Sequence, residues 1–387
     1  MDVNRLVFAK KFILPSRAAN ALQSLTMAYA FAENGVPVAL FPGFRDPDPQ
    51  RLRQELERDY GLSSPPSLDL SLCDGRHKGI YGLRFRGKLL ASWLGAGKGT
   101  VFYTRDVKEA LLLARLKRLG LRRPLFFELH EILAEQHQTL GTGRAEELRA
   151  VEREILAQAD GVIVISPLLA EDVKRVYAPA APVLVSTMGY NDRLYTPIPP
   201  IEDLSGEVTL VYVGSLYRGK GVHGLVEALR HLPERFRLLV IGGQPEAELA
   251  ELKTMAASLP GGPGRVEFTG HLAPRDLAVR VREGRIFIIP QQSAAEYFSP
   301  IKLYEALGLA MPMVVTPVPT IASVLRDGDC AVFARDTSPE ALAAAIMKLA
   351  DTPGLARAMQ ERCQAMAAAH TWRQRAADCL EFMRRTL

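Results

Sequence analysis

The sequence predicts an α/β protein with two Rossmann-like, doubly wound domains and a cleft between them. Three observations support this prediction: short apolar strands alternate with amphipathic helices, a proline-rich break interrupts the alternation, and the alternation then restarts. The length of 387 residues fits the division into two domains, because a single core seldom grows past about 300 residues. The composition, 48% hydrophobic and 24% charged, is that of an ordinary globular chain.

The first half of the chain contains apolar runs that are rich in β-branched and aromatic residues. We predict strands at residues 6–9, 38–41, 101–103, 125–128, 162–165 and 183–185. Amphipathic stretches of helical length separate several of them, namely residues 18–33, 107–119 and 146–157. Strands that are apolar nearly throughout, with helices between them, indicate a parallel sheet covered on both faces. Right-handed crossovers then make the domain doubly wound.

A break follows, where three prolines fall within residues 197–200 and predict a linker. Beyond it we predict strands at residues 208–213, 238–241, 266–268, 286–289 and 313–316, and a last amphipathic helix at residues 371–387. We therefore expect an N-terminal domain over residues 1–197 and a C-terminal domain over residues 198–370. In such open sheets ligands bind beyond the carboxyl ends of the strands, so function is expected in the strand-to-helix loops.

Composition also limits the location and the chemistry. No apolar run reaches the roughly 18–20 residues that span a bilayer, and the N-terminus has no signal-peptide pattern, so we expect a cytoplasmic protein. The four cysteines, Cys73, Cys330, Cys363 and Cys379, show no paired spacing, which favours free thiols. No HExxH motif is present, and we expect neither a metal nor another cofactor.

The first candidate binding loop runs from the predicted strand into residues 214–221, which read GSLYRGKG. Glycines such as Gly214 let the backbone approach a ligand closely, and Ser215 is the next residue. Arg218 and Lys220 place positive charge where a diphosphate could lie. The alternative is a plain turn with two solvated cations.

The second candidate begins a helix after the predicted strand 286–289. Ser299 is a good N-cap, and Pro300 suits the first helical position. The free N–H groups of that turn, with the helix dipole, form an anion site, and a carboxylate one turn further on could hold a ribose diol. The alternative is a capped core helix. The donor-binding candidates here are Glu296, Ser299, Pro300, Ile301, Lys302 and Glu305.

The third candidate is His130, which closes the apolar strand of the N-terminal half beside Glu131. It could donate a hydrogen bond to a sugar hydroxyl or to a reacting oxygen, and the alternative is a structural histidine. A fourth feature is charge: residues 76–123 hold 13 Lys and Arg against two acidic residues, while the whole chain has a net charge of +5. This region is either an ordinary helical surface or a face for an anionic membrane or a phosphorylated acceptor. Nucleic acid is not expected, because no known binding module is recognised.

With these motifs the chain resembles the retaining glycosyltransferases of family 4, which have the GT-B architecture. The resemblance extends from the opening SRAANALQSLTM at residues 16–27, through FELHE at 127–131 and GYNDRLYTP at 189–197, to GSLYRGKG and SPIKLYEAL. It implies that Ser16 and Asn20 lie on the sugar or acceptor side, and that the final helix returns to the N-terminal domain. Two departures stand out: Ser215 replaces the family's usual arginine, and Glu296 is one place away from the usual first glutamate.

The resemblance implies transfer of a sugar from a nucleotide-diphosphate sugar to a sugar or lipid-linked acceptor, with retention of the anomeric configuration and without a metal. It implies catalytic roles for His130 and Lys220, and we expect Arg218 to supply the charge of the missing arginine from another position of the turn. Two alternatives are a nucleotide-sugar-binding protein of the same fold with impaired turnover, which the serine at position 215 suggests, and a nucleotide-sugar epimerase. The basic region, residues 76–123, is expected to receive the acceptor, with peripheral contact at the inner face of an anionic membrane.

Overall fold

The computed structural model describes residues 2–16, 18–45, 48–63, 65, 67–292 and 301–387. The chain divides into two compact units. The first comprises Met1–Arg58, Leu62–Thr187 and Trp372–Leu387, and the second comprises Asp59–Gly61 and Met188–Thr371.

The first unit alternates strands and helices from its N-terminus onward. Its strands are β1 (Arg5–Phe8), β2 (Ile13–Leu14), β3 (Val38–Leu40), β4 (Gly43–Phe44), β5 (Leu68–Leu70), β6 (Cys73–Asp74), β7 (Thr100–Thr104), β8 (Leu125–Leu129), β9 (Gly161–Val164) and β10 (Val183–Val185). The helices of this part of the chain are α1 (Ala19–Glu33), α2 (Pro49–Tyr60), α3 (Lys78–Leu94), α4 (Val107–Arg118), α5 (Leu133–Thr139), α6 (Ala145–Leu156) and α7 (Pro167–Tyr177).

Within the described residues, the main sheet of this unit has seven parallel strands in the order β10-β9-β8-β7-β1-β3-β5. The order reverses between β1 and β7, as in a doubly wound fold. The central strands are buried throughout, which explains their unbroken apolar runs. The strands β2, β4 and β6 form a separate small sheet, which the sequence did not predict because two-residue strands carry no periodic signal.

The second unit repeats the plan. Its strands are β11 (Val208–Val213), β12 (Phe236–Ile241), β13 (Val266–Gly270), β14 (Ile286–Ile289), β15 (Met313–Val315) and β16 (Ala331–Phe333). Its helices are α8 (Val222–Ala228), α9 (Glu246–Ala257), α10 (Pro274–Arg280), α11 (Ile301–Gly308), α12 (Pro319–Ala322), α13 (Pro339–Asp351) and α14 (Leu355–Ala367).

The sheet of the second unit has the parallel order β13-β12-β11-β14-β15-β16 among the described residues. Counted along the chain, this is the order 3-2-1-4-5-6 of the Rossmann fold, with its reversal between β11 and β14. The predicted fold class, two Rossmann-like units with parallel sheets, is therefore confirmed. In both units ligands are expected where the order reverses, beyond the carboxyl ends of the two central strands.

The segment expected to be a linker is bound to the second unit. The backbone N–H of Ile198 donates to the carbonyl of Leu309 at 2.8 Å. The side-chain amide of Gln360 accepts from the N–H of Ile201 at 2.9 Å and donates to the carbonyl of Pro199 at 3.0 Å. These bonds attach the proline-rich stretch to the second unit. By compactness the chain divides between Thr187 and Met188, and the domain boundary at residue 197 stays a prediction.

The last helix, α15 (Trp372–Thr386), belongs to the first unit. It packs against α1, and the ring of Phe382 meets that of Phe126 edge-on with centroids 5.8 Å apart. Among the described residues, no helix combines the length and the apolarity that a membrane span needs.

Candidate functional site

Two loops of the second unit meet at its reversal point. One follows β11 and the other follows β14, the two central strands of this sheet. The backbone N–H of Gln292, after β14, donates to the carbonyl of Gly219, after β11, at 3.1 Å. Gly221 sits at φ +76°, and a Cβ added there would lie 1.7 Å from the carbonyl oxygen of Pro290. Only glycine fits this position, because the backbone is left-handed and the neighbouring loop leaves no room.

The β11 loop is held down at its start as well. The hydroxyl of Tyr212 donates to the carbonyl of Ser215 at 2.5 Å, and a Cβ added to Gly242 would lie 1.9 Å from the carbonyl oxygen of Gly214. Glycine is thus required directly after the neighbouring β12 as well as in the loop. The predicted glycine-rich motif is a rigid, closely packed turn.

Lys220 ends a short 3₁₀ turn, Arg218–Lys220, directly before Gly221. Its side chain is partly buried, and burial lowers its pKa. A partly desolvated ammonium group interacts more strongly with an anion than a fully hydrated one does. Lys220 is therefore suited to bind phosphate oxygens.

Arg218 is engaged elsewhere. Its guanidinium donates to Glu251 Oε1 at 2.6 Å, and its Nε lies 3.8 Å from Glu248 Oε2, both on α9. The hydrogen bond to Glu251 raises the pKa of Arg218. The arginine that sequence reasoning placed on a diphosphate is thus paired with carboxylates, which offset its charge.

The same glutamates lie beside His223 on α8. Its Nε2 is 3.0 Å from Glu248 Oε2 and 3.7 Å from Glu251 Oε2. Among the described residues, these three side chains form the one group whose donor atoms all lie within 4.8 Å of one another and could hold a cation. The sequence did not point to this cluster, since no short motif joins a histidine in α8 to carboxylates in α9.

The helix after β14 carries an ion pair at its start. Lys302 Nζ lies 2.6 Å from Glu305 Oε2, and the Glu305 side chain is only 10% exposed. The hydroxyl of buried Tyr195 also hydrogen-bonds to Glu305, and burial together with this carboxylate raises the pKa of Tyr195. Ile301 begins α11 and is partly buried. The predicted donor-binding residues Glu296, Ser299 and Pro300 lie outside the described residues.

In the first unit, His130 follows β8 and is part of a chain of buried polar groups. Its Nε2 donates to Glu128 Oε1 at 2.6 Å, and its Nδ1 accepts from Arg105 Nη2 at 2.9 Å. An arginine only donates hydrogen bonds, so this geometry assigns the proton to Nε2. Burial lowers the pKa of His130 to about 4, although Glu128 opposes the shift. The imidazole is thus neutral near pH 7, with both nitrogens hydrogen-bonded.

Glu128 is the centre of this chain. Burial alone would raise its pKa, but Arg375, His130 and Arg105 outweigh burial and lower it. Arg375 Nη2 lies 2.9 Å from Glu128 Oε2, with side-chain exposures of 3% and 1%. The hydroxyl of Tyr103 donates to the same carboxylate. The ionised carboxylate is therefore held by three hydrogen-bond donors, and the charge of Arg105 adds to their effect.

Sequence reasoning chose His130 and its neighbour Glu131, which is exposed, and missed Glu128, Arg105 and Arg375. One signal was available: Glu128 is an acidic residue inside an otherwise apolar strand, which requires a buried partner. The identity of that partner could not be found locally, because Arg375 lies 247 residues away.

The two residues that the sequence suggested for the sugar or acceptor side lie at the start of α1. Ser16 Oγ accepts from the N–H of Ala18 at 3.2 Å, and the Asn20 side chain is exposed. Gln23, further along α1, accepts from Arg105 instead. Nearby, at the carboxyl ends of β1 and β7 where the strand order reverses, Lys10 Nζ lies 3.1 Å from Asp106 Oδ2.

Two family models match the chain. Residues 21–189 match the model described as glycosyl transferase 4-like domain, and residues 207–352 match the one described as glycosyl transferases group 1. Each half of the chain belongs to a glycosyltransferase domain family. The two matches fall on the two compact units, and the resemblance to family 4 of the GT-B type is confirmed at this level.

Curated relatives of these glycosyltransferase domains are distant. The D-inositol 3-phosphate glycosyltransferase of Corynebacterium urealyticum is 27% identical over 281 residues, which are 66% of this chain and 64% of that protein. The glycogen synthase of Mycobacterium tuberculosis is 23% identical over 239 residues, or 60% of this chain and 56% of that protein. The matches thus span less than two thirds of either relative.

Solved structures share the fold over nearly the whole chain. Sucrose-phosphate synthase from Thermosynechococcus elongatus superposes with a TM-score of 0.73 at 20% identity and covers 98% of both chains. Anabaena HepE in complex with UDP gives a TM-score of 0.71 at 16% identity, covering 98% of this chain and all of the other. At these identities the likeness concerns the fold alone.

Proposed function

We propose that the protein is a glycosyltransferase that moves a sugar from a nucleotide-diphosphate sugar to an acceptor, with retention at the anomeric carbon and without a metal. One observation carries this proposal. The loops after β11 and β14 meet at the reversal point of a Rossmann sheet, with Lys220 on the first loop and Lys302 on the helix after the second. This is the place where such sheets bind phosphorylated nucleotides.

Lys220 and Lys302 would neutralise the charge that grows on the leaving nucleotide diphosphate. Positioned cations of this kind are often the largest contribution to catalysis, since they need no rearrangement during the reaction. Arg218 is assigned a secondary role, because Glu251 already holds it. Glu305, with one oxygen on Lys302 and a bond from Tyr195, would accept hydrogen bonds from the ribose hydroxyls.

In the proposed reaction, the bond between the anomeric carbon and the diphosphate oxygen breaks, and the acceptor oxygen bonds to that carbon on the same face. The electron pair leaves with the diphosphate. His130 is a poor general base, since its pKa is lowered to about 4 and the lone pair of Nδ1 already accepts a hydrogen bond from Arg105. The acceptor proton is therefore assigned to the departing phosphate oxygen, which lies on the same face. Ser16 and Asn20 are assigned to the sugar or acceptor side, and His130 to holding Glu128 and Arg105 in place.

The acceptor is proposed to be a sugar or a lipid-linked molecule, received by the basic region of residues 76–123 at an anionic membrane. No nucleic acid partner is proposed. The cytoplasmic location predicted from the sequence stays a prediction.

A second candidate is a nucleotide-sugar-binding protein with impaired turnover. It is favoured by Ser215, which stands where the family has arginine, and by the pairing of Arg218 with Glu251. Products separate the candidates: a transferase labels an acceptor, an epimerase changes the sugar without an acceptor, and a binder does neither.

The first test is thermal unfolding with UDP-, GDP-, ADP- and dTDP-sugars, with and without EDTA. The UDP series comes first, because HepE, which shares the fold, has been solved in complex with UDP. A ligand at a hundredfold excess over Kd stabilises the folded state by about 2.7 kcal/mol. We expect one nucleotide to raise the unfolding temperature equally with and without EDTA.

The matched variants are Lys220→Ala and Lys253→Ala, since Lys253 is an exposed lysine of the same unit. Lys220→Ala should lose most of the nucleotide-induced shift and reduce transfer at least tenfold, while Lys253→Ala behaves as the wild type. Full transfer by Lys220→Ala, or no shift with any nucleotide at millimolar concentration, would contradict the assignment of this loop.

A further inference from the structure

The helix α3 has two different apolar faces. The inner face packs on the sheet through a stripe of large buried side chains, which are Tyr81, Phe85, Leu89 and Trp93. On the outer face Ile80, Leu83 and Leu94 are 47%, 76% and 62% exposed. With exposed Gly87 and half-buried Leu90 between them, these positions recur every three or four residues. They therefore form a continuous stripe on the side of α3 that faces away from the core.

Two further exposed leucines lie close to the end of α3. The indole N–H of Trp93 donates to the carbonyl of Leu121 at 3.0 Å, and Arg123 Nε donates to the carbonyl of Trp93 at 3.3 Å. These bonds fix the segment after α4 beside the last turn of α3. Leu119 and Leu121 are 76% and 44% exposed there. We call the five side chains Ile80, Leu83, Leu94, Leu119 and Leu121 the outer leucine surface.

Cations border this surface. Arg84 and Arg86 project from α3 and are 57% and 52% exposed. Asp74 pairs with both Arg76 and Arg84, and Glu109 lies 4.0 Å from Arg86. No acidic residue occurs from Gly75 to Arg105, while this stretch holds seven Lys and Arg. The carboxylates of Asp74 and Glu109 offset only part of this charge, so the region around α3 keeps a clear excess of positive charge.

We infer that the outer leucine surface docks on an anionic bilayer, with the leucines entering the headgroup boundary and Arg84 and Arg86 contacting lipid phosphates. This inference deepens the membrane contact proposed above for residues 76–123. Exposed apolar side chains bordered by cations on one helix are typical of interfacial membrane binding. A second copy of the chain is disfavoured as the partner, because it would bring the same positive charge to the contact. A nucleic acid is disfavoured, because five exposed apolar side chains do not match its charged backbone.

The test is flotation of the full-length protein with vesicles of phosphatidylcholine containing about one third phosphatidylglycerol, and with phosphatidylcholine alone. The apolar variant is Leu83→Ser/Leu94→Ser, and its control is Leu140→Ser, because Leu140 is a 66% exposed leucine outside this surface. The charge variant is Arg84→Gln/Arg86→Gln, and its control is Arg335→Gln, an 86% exposed arginine of the second unit. Thermal unfolding checks that each variant is folded.

We expect the wild type and both controls to float with the anionic vesicles and to bind neutral vesicles much more weakly. Each leucine replaced should lower the partition coefficient about tenfold, and each arginine about fivefold with a weaker salt dependence. No flotation of the wild type, equal binding to both vesicle types, or wild-type binding by a folded Leu83→Ser/Leu94→Ser would overturn the inference. The nucleotide-induced rise in unfolding temperature is measured on the same variants, and its loss or retention reports on the donor site independently.

Discussion

Breaking the buried ion pair between Arg375 and Glu128 should strongly destabilise the first unit. Arg375 reaches Glu128 from α15, and its guanidinium also donates to the carbonyls of Thr187 at 2.8 Å and Ser186 at 3.3 Å. Replacing it by methionine keeps an unbranched stem that reaches about as far as Nε and removes the guanidinium group with all of its donors. The change leaves Glu128 as a buried charge with too few partners, together with an unsatisfied backbone carbonyl.

The expected cost follows from this geometry. Removing one partner of a buried ion pair typically costs about 3–5 kcal/mol, because the remaining charge stays desolvated. For a unit of about 200 residues, each kcal/mol of lost stability lowers the midpoint temperature of thermal unfolding by roughly 2–4 °C. Arg375→Met should therefore lower the unfolding temperature of the first unit by about 6–20 °C at pH 7. Arg385→Met is the matched control, because Arg385 lies on the same helix and is 78% exposed.

The pH dependence gives a second, independent readout. Arg375 is the leading cause that lowers the pKa of Glu128 in the wild type, so the stability it provides is lost as pH falls. Without Arg375 the pKa of Glu128 rises, so Glu128 takes up a proton in acid and the buried charge disappears. The stability of the variant should therefore approach that of the wild type as the pH falls. The difference in the free energy of unfolding between the wild type and Arg375→Met, measured with urea, should therefore become smaller as the pH falls through about 4.5.

A double variant separates the pair from other effects. Glu128→Gln/Arg375→Met should cost less than the sum of its two single changes, because the second change removes the orphaned charge. A loss below about 1 kcal/mol for Arg375→Met at pH 7, or strict additivity in the double variant, would refute this reasoning.

Two further predictions concern His130 and Gly221. Because the folded-state pKa of His130 is lowered to about 4, its contribution to stability is complete above the unfolded pKa of about 6.5 and is lost as pH falls between these values, by about 3 kcal/mol. The difference in the free energy of unfolding between the wild type and His130→Gln, measured with urea, should shrink by that amount on acidification. A difference that does not change with pH would contradict this prediction. Gly221→Ala should cost about 3 kcal/mol or more and abolish nucleotide binding, since its Cβ would lie 1.7 Å from Pro290 O. The control Gly206→Ala, with nothing within 4 Å of its Cβ, should stay within about 0.5 kcal/mol of the wild type in the same thermal assay.

The sequence by itself determined the fold class and the position of the glycine-rich loop after β11. Buried parallel strands form short unbroken apolar runs, and the helices between them form amphipathic stretches, so most strands of both sheets could be predicted from local pattern. The edge strands β5 and β16 were not predicted. The glycines of the loop after β11 could also be recognised in the sequence. A turn with a left-handed backbone position favours glycine at that one position, so a single residue indicates it. Gly221 is such a position, with φ +76°.

Tertiary structure alone decided which charges meet. Arg218 and Lys220 look alike in the sequence, yet Arg218 is bound by Glu251, which lies 33 residues away on α9. The sequence allows His130 to be either a base or a structural group. In the structure its two ring nitrogens are hydrogen-bonded to Glu128 and Arg105. The partner of Glu128, Arg375, comes from the last helix of the chain. The physical reason is the same in each case: local pattern reports what a residue is and which face it occupies, whereas the partner of a buried charge depends on which distant elements pack together.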